Sequence, residues 1–279
     1  MFREQGNKVM GVPDEVSKLV RNSGNNFHAK VARWLSDNDW HVVVSPYYMD
    51  QTQNKAREID LIAEKLWPVY NPLISYGAFH QHRRPMGYVV VRLFIECKFV
   101  PSTSVFWFAE KDQESAYKLV CARGCFQEGN LNTMKHHYLA QSAKVAKLFA
   151  TNASKAPEND PFYKALNQAL NAMVSMRGKP VSVPKIKTSQ MTPRIVIEFP
   201  VVVCSSFNQI YSVDFYTESQ PMPIKDNFQL EVRYAYIDKH DKQRNDYFLL
   251  DFVEFDQLGK FAEAIDGYAK VAVFFETPS

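Results

Sequence analysis

The spacing of apolar residues changes several times along this chain, and each change predicts a helix or a strand. Apolar positions in 14–37 recur every three to four residues, which predicts one or two helices. Residues 40–48 predict a strand. Residues 56–64 and 88–100 are nearly continuous in Val, Ile, Leu and Phe, which is typical of strands buried on both faces. The first hundred residues therefore predict a helical segment followed by three strands.

Helical and strand patterns alternate again after residue 100. The predicted helices cover 110–123, 131–150, 161–176 and 256–268. The predicted strands cover 194–204, 209–216, 229–238, 247–254 and 271–275. The helix over 131–150 rests on the spacing of Leu139, Val145, Leu148 and Phe149. Segments 67–87 and 178–192 show neither the helical nor the strand spacing of apolar residues, and they are predicted to connect elements.

The length and composition favour one α/β domain. The chain has 279 residues, 46% of them hydrophobic, which is enough for a substantial core. We expect the core of this domain at about 15–150, a helical connector at 151–192 and a C-terminal sheet extension at 193–279. The net charge of +3 is small, so any basic surface must be local.

Membrane insertion and secretion are not expected. No apolar run approaches the roughly 20 residues of a membrane helix. The chain begins without a recognisable signal peptide, and its four cysteines fit a reducing compartment. These features predict a cytoplasmic protein that does not bind membranes.

Acidic residues interrupt two of the predicted buried strands. Glu58 and Asp60 lie two positions apart in the first, and Glu96 and Lys98 lie two positions apart in the second. Side chains alternate along a strand, so each pair shares one face. Burying a neutral polar group without a hydrogen bond costs roughly 2–7 kcal/mol, and burying an unpaired carboxylate costs more. A divalent cation could offset that cost if the two strands are neighbours.

The arrangement resembles the PD-(D/E)XK nuclease superfamily, which has a restriction-endonuclease-like fold. Asp60 matches the first acidic position of the family pattern, and Glu96-Cys97-Lys98 matches the (D/E)-X-K tripeptide. The helix containing 24–35 resembles the one that opens the family core. His28 stands there in place of the Glu that many members carry, and it could bind Mn²⁺, shuttle a proton or simply pack. The resemblance implies an α-β-β-β-α-β core with a mixed central sheet flanked by helices.

The resemblance also implies a cofactor and a role for each residue. Asp60, Glu96 and the backbone carbonyl of Cys97 would bind Mg²⁺, or alternatively Mn²⁺. Lys98 would orient the attacking water or stabilise charge on the phosphate oxygens. Glu58 would ligate a second metal ion or bridge through water, or else lie on the surface without a role.

Local basic residues are the candidates for contacts with nucleic acid. We expect phosphate contacts from residues in the connection at 67–87 and around the helix over 131–150. The candidates are Arg83, Arg84, Lys135 and Lys144.

The sequence thus predicts a Mg²⁺-dependent endonuclease that hydrolyses DNA in restriction, repair or defence. Two alternatives stay open: an RNA-directed nuclease with the same site, and a non-catalytic nucleic-acid-binding or assembly module that kept the fold. His28 in place of an acidic residue favours the module, whereas the complete set of Asp60, Glu96 and Lys98 favours the enzyme. A homodimer is a further expectation from the resemblance.

Overall fold

The protein is described here by a computed structural model. It describes residues 14–22, 24–70, 85–100, 102–122, 136–140, 142–152, 160–180, 182–183, 193–238 and 240–276. Its helices are α1 (Asp14–Asn22), α2 (Gly24–Asp37), α3 (Gln113–Cys121), α4 (His137–Ala140), α5 (Pro161–Met176) and α6 (Leu258–Glu276). Its strands are β1 (His41–Val44), β2 (Tyr47–Asp50), β3 (Lys55–Glu58), β4 (Leu61–Val69), β5 (Gly87–Lys98), β6 (Ser104–Glu110), β7 (Lys144–Thr151), β8 (Pro193–Cys204), β9 (Ile210–Asp214), β10 (Met222–Pro223), β11 (Phe228–Ile237) and β12 (Gln243–Glu254).

The fold is mixed α/β, with one large mixed sheet flanked by helices. Ten strands form this sheet in the order β1-β4-β5-β8-β12-β11-β7-β6-β9-β10, and β2 and β3 form a separate hairpin. Strands β1, β4 and β5 are antiparallel neighbours, whereas β8 lies parallel to both β5 and β12. The C-terminal strands therefore belong to the same sheet as the strands of the first hundred residues.

Each face of the central strands is covered by different helices. On one face, α2 and α6 bury Val31, Leu35 and Ile265 against residues such as Leu61 and Ile95. On the other face, α5 buries Ala165, Ala169 and other apolar residues against the alternate positions of the same strands, which include Ile62 and Phe94. This alternation follows from the period of two along a strand. It sets which helix lies over each polar residue of β4 and β5.

Helix α5 has the boundaries that the sequence predicted, because its start signal is strong. Asp160 is the N-cap, and its carboxylate accepts hydrogen bonds from the backbone N–H groups of Phe162 and Tyr163. Pro161 occupies the first helical position, where a missing N–H costs nothing.

The strand predicted over 56–64 is divided between two sheets. Residues up to Glu58 pair with β2, and residues from Leu61 pair with β1 and β5. The division falls opposite Ser45-Pro46: the Ser45 amide donates to the Asp60 carbonyl, and the Ile59 amide donates to the Pro46 carbonyl. Ser45 has a positive φ of 50°, which turns the chain between β1 and β2 at the same level.

Two predictions from apolar spacing are wrong, and two strands were missed. Within the described part of 131–150, only α4 is helical, and 144–151 is strand β7 paired with β6. Leu148, expected in a helical core face, is 56% exposed. The strand predicted over 271–275 belongs to α6, whose buried positions continue at helical spacing through Ala272. Strands β6 and β10 were not predicted.

Three charged residues form a buried row across β4, β5 and β8. Arg92 lies opposite Glu64 on one side and Glu198 on the other. Its Nε donates to Glu64 Oε1 at 2.6 Å and its guanidinium donates to Glu198 Oε1 at 3.3 Å. The guanidinium also donates to the carbonyls of Lys179 and Pro180, at 3.3 and 3.1 Å. The row therefore ties the segment after α5 to the sheet.

Among the helices of the described segments, none is long and apolar enough to cross a membrane.

Candidate active site

Asp60 and Glu96 meet where β4 begins and β5 ends. Leu61 pairs with Ile95, so the antiparallel register brings the preceding residue, Asp60, opposite Glu96. The Asp60 amide donates to Glu96 Oε1 at 3.4 Å, and the Cys97 amide donates to Asp60 Oδ2 at 2.7 Å. The Glu96 carboxylate thus accepts the amide of Asp60, and the Asp60 carboxylate accepts the amide of Cys97, the residue after Glu96.

Lys98 adds an ammonium group to this pair. Its Nζ donates to Glu96 Oε2 at 2.9 Å. Glu96 is fully buried, whereas the Lys98 side chain is partly exposed. The Lys98 side chain therefore contacts the buried carboxylate of Glu96 and is itself in contact with solvent.

Burial raises the pKa of the Glu96 carboxyl to about 7 from an ordinary value of 4.5. The positive charge of Lys98 lowers this pKa, and the negative charge of Asp60 raises it. Near pH 7 the Glu96 carboxyl is therefore divided between its neutral and its charged form, and a bound cation would favour the charged form.

This pKa shift predicts a specific pH dependence of stability. Above pH 4.5 the unfolded chain loses the Glu96 proton, while the folded protein keeps it up to about pH 7. The folded state then binds more protons, so stability falls as the pH rises through this range. Relative to Glu96→Gln, we expect the metal-free wild type to lose up to about 3 kcal/mol of unfolding free energy. Urea denaturation in chelator at several pH values measures this; parallel pH profiles for the two proteins would contradict it.

His28 reaches the site from α2. Its Nε2 lies 3.3 Å from Asp60 Oδ2, the oxygen that also accepts the Cys97 amide. The imidazole is about three-quarters buried, since 23% of its side chain is exposed. His28 therefore contacts a site carboxylate directly, as the resemblance implied for this helix position.

Glu58 lies apart from the carboxylate pair, at the end of β3. It is opposite Tyr47 in the hairpin, and a hydrogen bond with the Glu58 side chain raises the pKa of the Tyr47 phenol. The chain passes from the hairpin to the large sheet between Glu58 and Asp60. Their side chains therefore do not lie on one face, as they would in an uninterrupted strand. The structure thus associates Glu58 with Tyr47.

Of the four basic residues predicted to contact nucleic acid, the structure describes only Lys144. Arg83, Arg84 and Lys135 lie outside the described residues. Lys144 is on β7, separated from β5 by three strands of the sheet, and its Nζ pairs with Asp214 Oδ2 at 3.1 Å. Of these candidates, the only one that can be located lies on a remote strand.

The oxygen atoms at the site that could face a cation come from two carboxylates and one backbone carbonyl. Within the described segments, no group of three or more His, Cys, Asp or Glu side chains is arranged to hold a metal ion. Asp60 and Glu96 supply two carboxylates. The Cys97 amide points to Asp60, and the N–H and C=O of one strand residue point to the same side, so the Cys97 carbonyl faces the same edge. Mg²⁺ is commonly bound through one or two carboxylates plus water.

The structure adds two residues near the site that the sequence did not indicate. Tyr48 is buried, and its phenol donates to the Gln168 carbonyl at 3.4 Å. Gln168 Nε2 donates to the Glu58 carbonyl at 3.3 Å. Both contacts join residues more than 100 positions apart, so no local pattern could have revealed them.

Comparison of the chain with protein-family models, with curated proteins and with solved structures finds no match.

Proposed function

We propose that this protein is a Mg²⁺-dependent nuclease that hydrolyses DNA phosphodiester bonds. The observation that carries the proposal is the meeting of Asp60, Glu96 and Lys98 at the ends of two paired strands. Two adjacent carboxylates, one of them fully buried, favour a bound cation. An ammonium group beside them suits a substrate that carries negative charge.

The order of elements supports a restriction-endonuclease-like topology as part of the same proposal. Helix α2 is followed along the chain by β1, β4 and β5, and later by α5 and β8. Those four strands are consecutive in the sheet, with β8 parallel to β5. The sequence α-β-β-β-α-β expected from the resemblance is obtained when the β2–β3 hairpin and the segment containing β6 and β7 are treated as insertions.

The proposed ion would be held by Asp60, Glu96 and the Cys97 carbonyl. When bound, a divalent ion lowers the pKa of water and neutralises charge on a phosphate. Lys98 would leave Glu96 and donate to a phosphate oxygen, where negative charge increases during attack. His28 would keep Asp60 oriented through its contact with Oδ2.

The test is a cleavage assay on plasmid DNA and on RNA. We expect nicking or linearisation of plasmid with Mg²⁺ or Mn²⁺, complete inhibition by chelator and sparing of RNA. Gel electrophoresis over a time course measures both substrates under the same conditions. If only RNA is degraded, the substrate is RNA and not DNA. If neither nucleic acid is cleaved under any condition, a binding module is favoured.

A second measurement tests the cation without relying on catalysis. At pH 7.5, Mg²⁺ is expected to raise the melting temperature of the wild type, because a ligand that binds only the folded state stabilises it. Glu96→Gln removes a proposed ligand and should abolish this shift. An equal shift in both proteins would mean that Mg²⁺ binds elsewhere.

A further inference from the structure

A polar cleft lies beside the candidate active site, between the β2–β3 hairpin and helix α5. Its volume is about 790 Å³, within the roughly 300–1,000 Å³ typical of ligand pockets. The hairpin contributes Gln53 and Arg57, α5 contributes Tyr163, Lys164 and Asn167, and β11 contributes Tyr234.

The cleft and the carboxylate pair share one side of the sheet. Helix α5 covers the face that includes Ile62 and Phe94, and Glu96 follows Phe94 by two positions on the same face. Gln168 lines the cleft, and its Nε2 donates at 3.3 Å to the carbonyl of Glu58, which precedes Asp60 by two residues. A strand bound at the carboxylates could therefore enter the cleft.

The acidic residue of the cleft does not present its charge. Asp50 is buried, and its Oδ1 accepts the amides of Thr52 and Gln53 at 3.0 and 3.3 Å. Its Oδ2 accepts Arg57 Nε at 2.8 Å and Asn171 Nδ2 at 3.3 Å. These bonds occupy the carboxylate, so the cleft surface does not repel an anion.

The exposed groups of the cleft match the parts of a nucleotide. Lys164 is exposed and has no ion-pair partner among the described residues, which leaves its ammonium available to a phosphate. Tyr163 is 44% exposed and offers a ring on which a base can stack. Asn167 uses its Nδ2 on the Tyr163 carbonyl at 2.7 Å, and its Oδ1 can accept a bond from a base.

The walls of the cleft are fixed in place. Thr52 Oγ1 at the hairpin turn accepts the Ile237 amide of β11 at 3.2 Å. On the opposite wall, the Tyr234 phenol donates to Asn171 Oδ1 at 2.8 Å. The cleft is therefore formed before a ligand arrives, which lowers the cost of binding.

We propose that this cleft binds an unpaired nucleotide of the DNA strand held at the carboxylate pair, with its base on Tyr163 and a phosphate on Lys164. A base must leave the duplex to reach a ring of this kind, so the substrate class is single-stranded DNA or DNA with an unpaired segment. This inference rests on the proposed nuclease function for the identity of the ligand.

The test is the affinity of fluorescent oligonucleotides for the wild type and for Tyr163→Ala and Lys164→Gln, measured by anisotropy in chelator so that no cleavage occurs. We expect single-stranded DNA to bind more tightly than duplex of the same sequence. Tyr163→Ala should weaken single-strand binding by about 5- to 150-fold, the range for loss of one stacked base. Lys164→Gln should reduce the slope of log K against log salt by about 0.7, since one phosphate contact is lost.

Two exposed residues away from the cleft provide matched controls, Tyr216→Ala and Lys260→Gln. Both should bind like the wild type, and circular dichroism should show that all four variants are folded. Equal binding by cleft and control variants, absence of single-strand binding, or a preference for duplex or for RNA would overturn the inference.

The outcome is separable from that of the nuclease proposal. If the protein never cleaves DNA but the cleft variants lose binding, the cleft is a DNA-binding site and the nuclease proposal is wrong. If the protein cleaves DNA with Mg²⁺ but the cleft variants bind normally, the nuclease proposal stands and the cleft proposal is wrong.

Discussion

Glu96→Gln is expected to reduce DNA cleavage by about a thousandfold or more. Loss of a residue that only supports a metal ligand costs about 10–100-fold in affinity or activity, and Glu96 is proposed as a ligand itself. Glutamine keeps the size of the side chain but removes its negative charge. A plasmid cleavage time course with saturating Mg²⁺ measures the difference.

The same variant should be more stable than the wild type in chelator at pH 7.5. It removes a buried carboxylate whose pKa of about 7 reflects the cost of its charge. Loss of activity combined with a higher melting temperature would exclude misfolding as the cause. Glu263→Gln, an exposed carboxylate on α6, is the matched control and should cleave like the wild type. Cleavage by Glu96→Gln within threefold of wild type would contradict the proposed role.

Arg92→Met is expected to lower the free energy of unfolding by about 3–5 kcal/mol, the usual cost of removing one partner of a buried ion pair. The change leaves Glu64 and Glu198 facing each other across β5 without the guanidinium that both now contact. It also removes the donors to the carbonyls of Lys179 and Pro180, which would be left to water or to no partner. Urea denaturation measures the change.

An exposed pair provides the contrast. Lys118 forms an ion pair with Glu114 on the surface of α3, and Lys118→Met should cost only about 0–1 kcal/mol because solvent screens the charges. Adding Glu64→Gln and Glu198→Gln to Arg92→Met should recover part of the lost stability, since the uncompensated charges are then gone. A single Arg92→Met variant within 1 kcal/mol of wild type would show that the buried row contributes little.

Helix α5 and the central strands were predictable because their signals are local. Asp160 and Pro161 fix the start of α5, and nearly continuous apolar residues identify β5 and β8. Strand β7 was mistaken for helix because Val145, Leu148 and Phe149 happen to have helical spacing. Its conformation is decided by pairing with β6 and β11, which are distant in sequence.

The sequence identified Asp60 and Glu96 as candidates, but it could not show that the register of the two strands brings them together. Carboxylates in strands rich in Val, Ile and Leu indicate an unusual burial, whatever the strands pair with. The pairing of Leu61 with Ile95 brings Asp60 and Glu96 together. The chain changes sheet opposite Ser45 and Pro46, and this change separates Glu58 from the carboxylate pair. Register depends on contacts along the whole of both strands, so residues near Asp60 do not encode it.

The sequence by itself determined the α/β character, the positions of the main central strands and the candidate residues Asp60, Glu96 and Lys98. Tertiary structure alone decided the buried Glu64–Arg92–Glu198 row and the cleft between the hairpin and α5. The physical reason is range. Periodicity and capping act within one or two turns, whereas charge pairing and cleft formation join side chains that the chain brings together only after the sheet has formed.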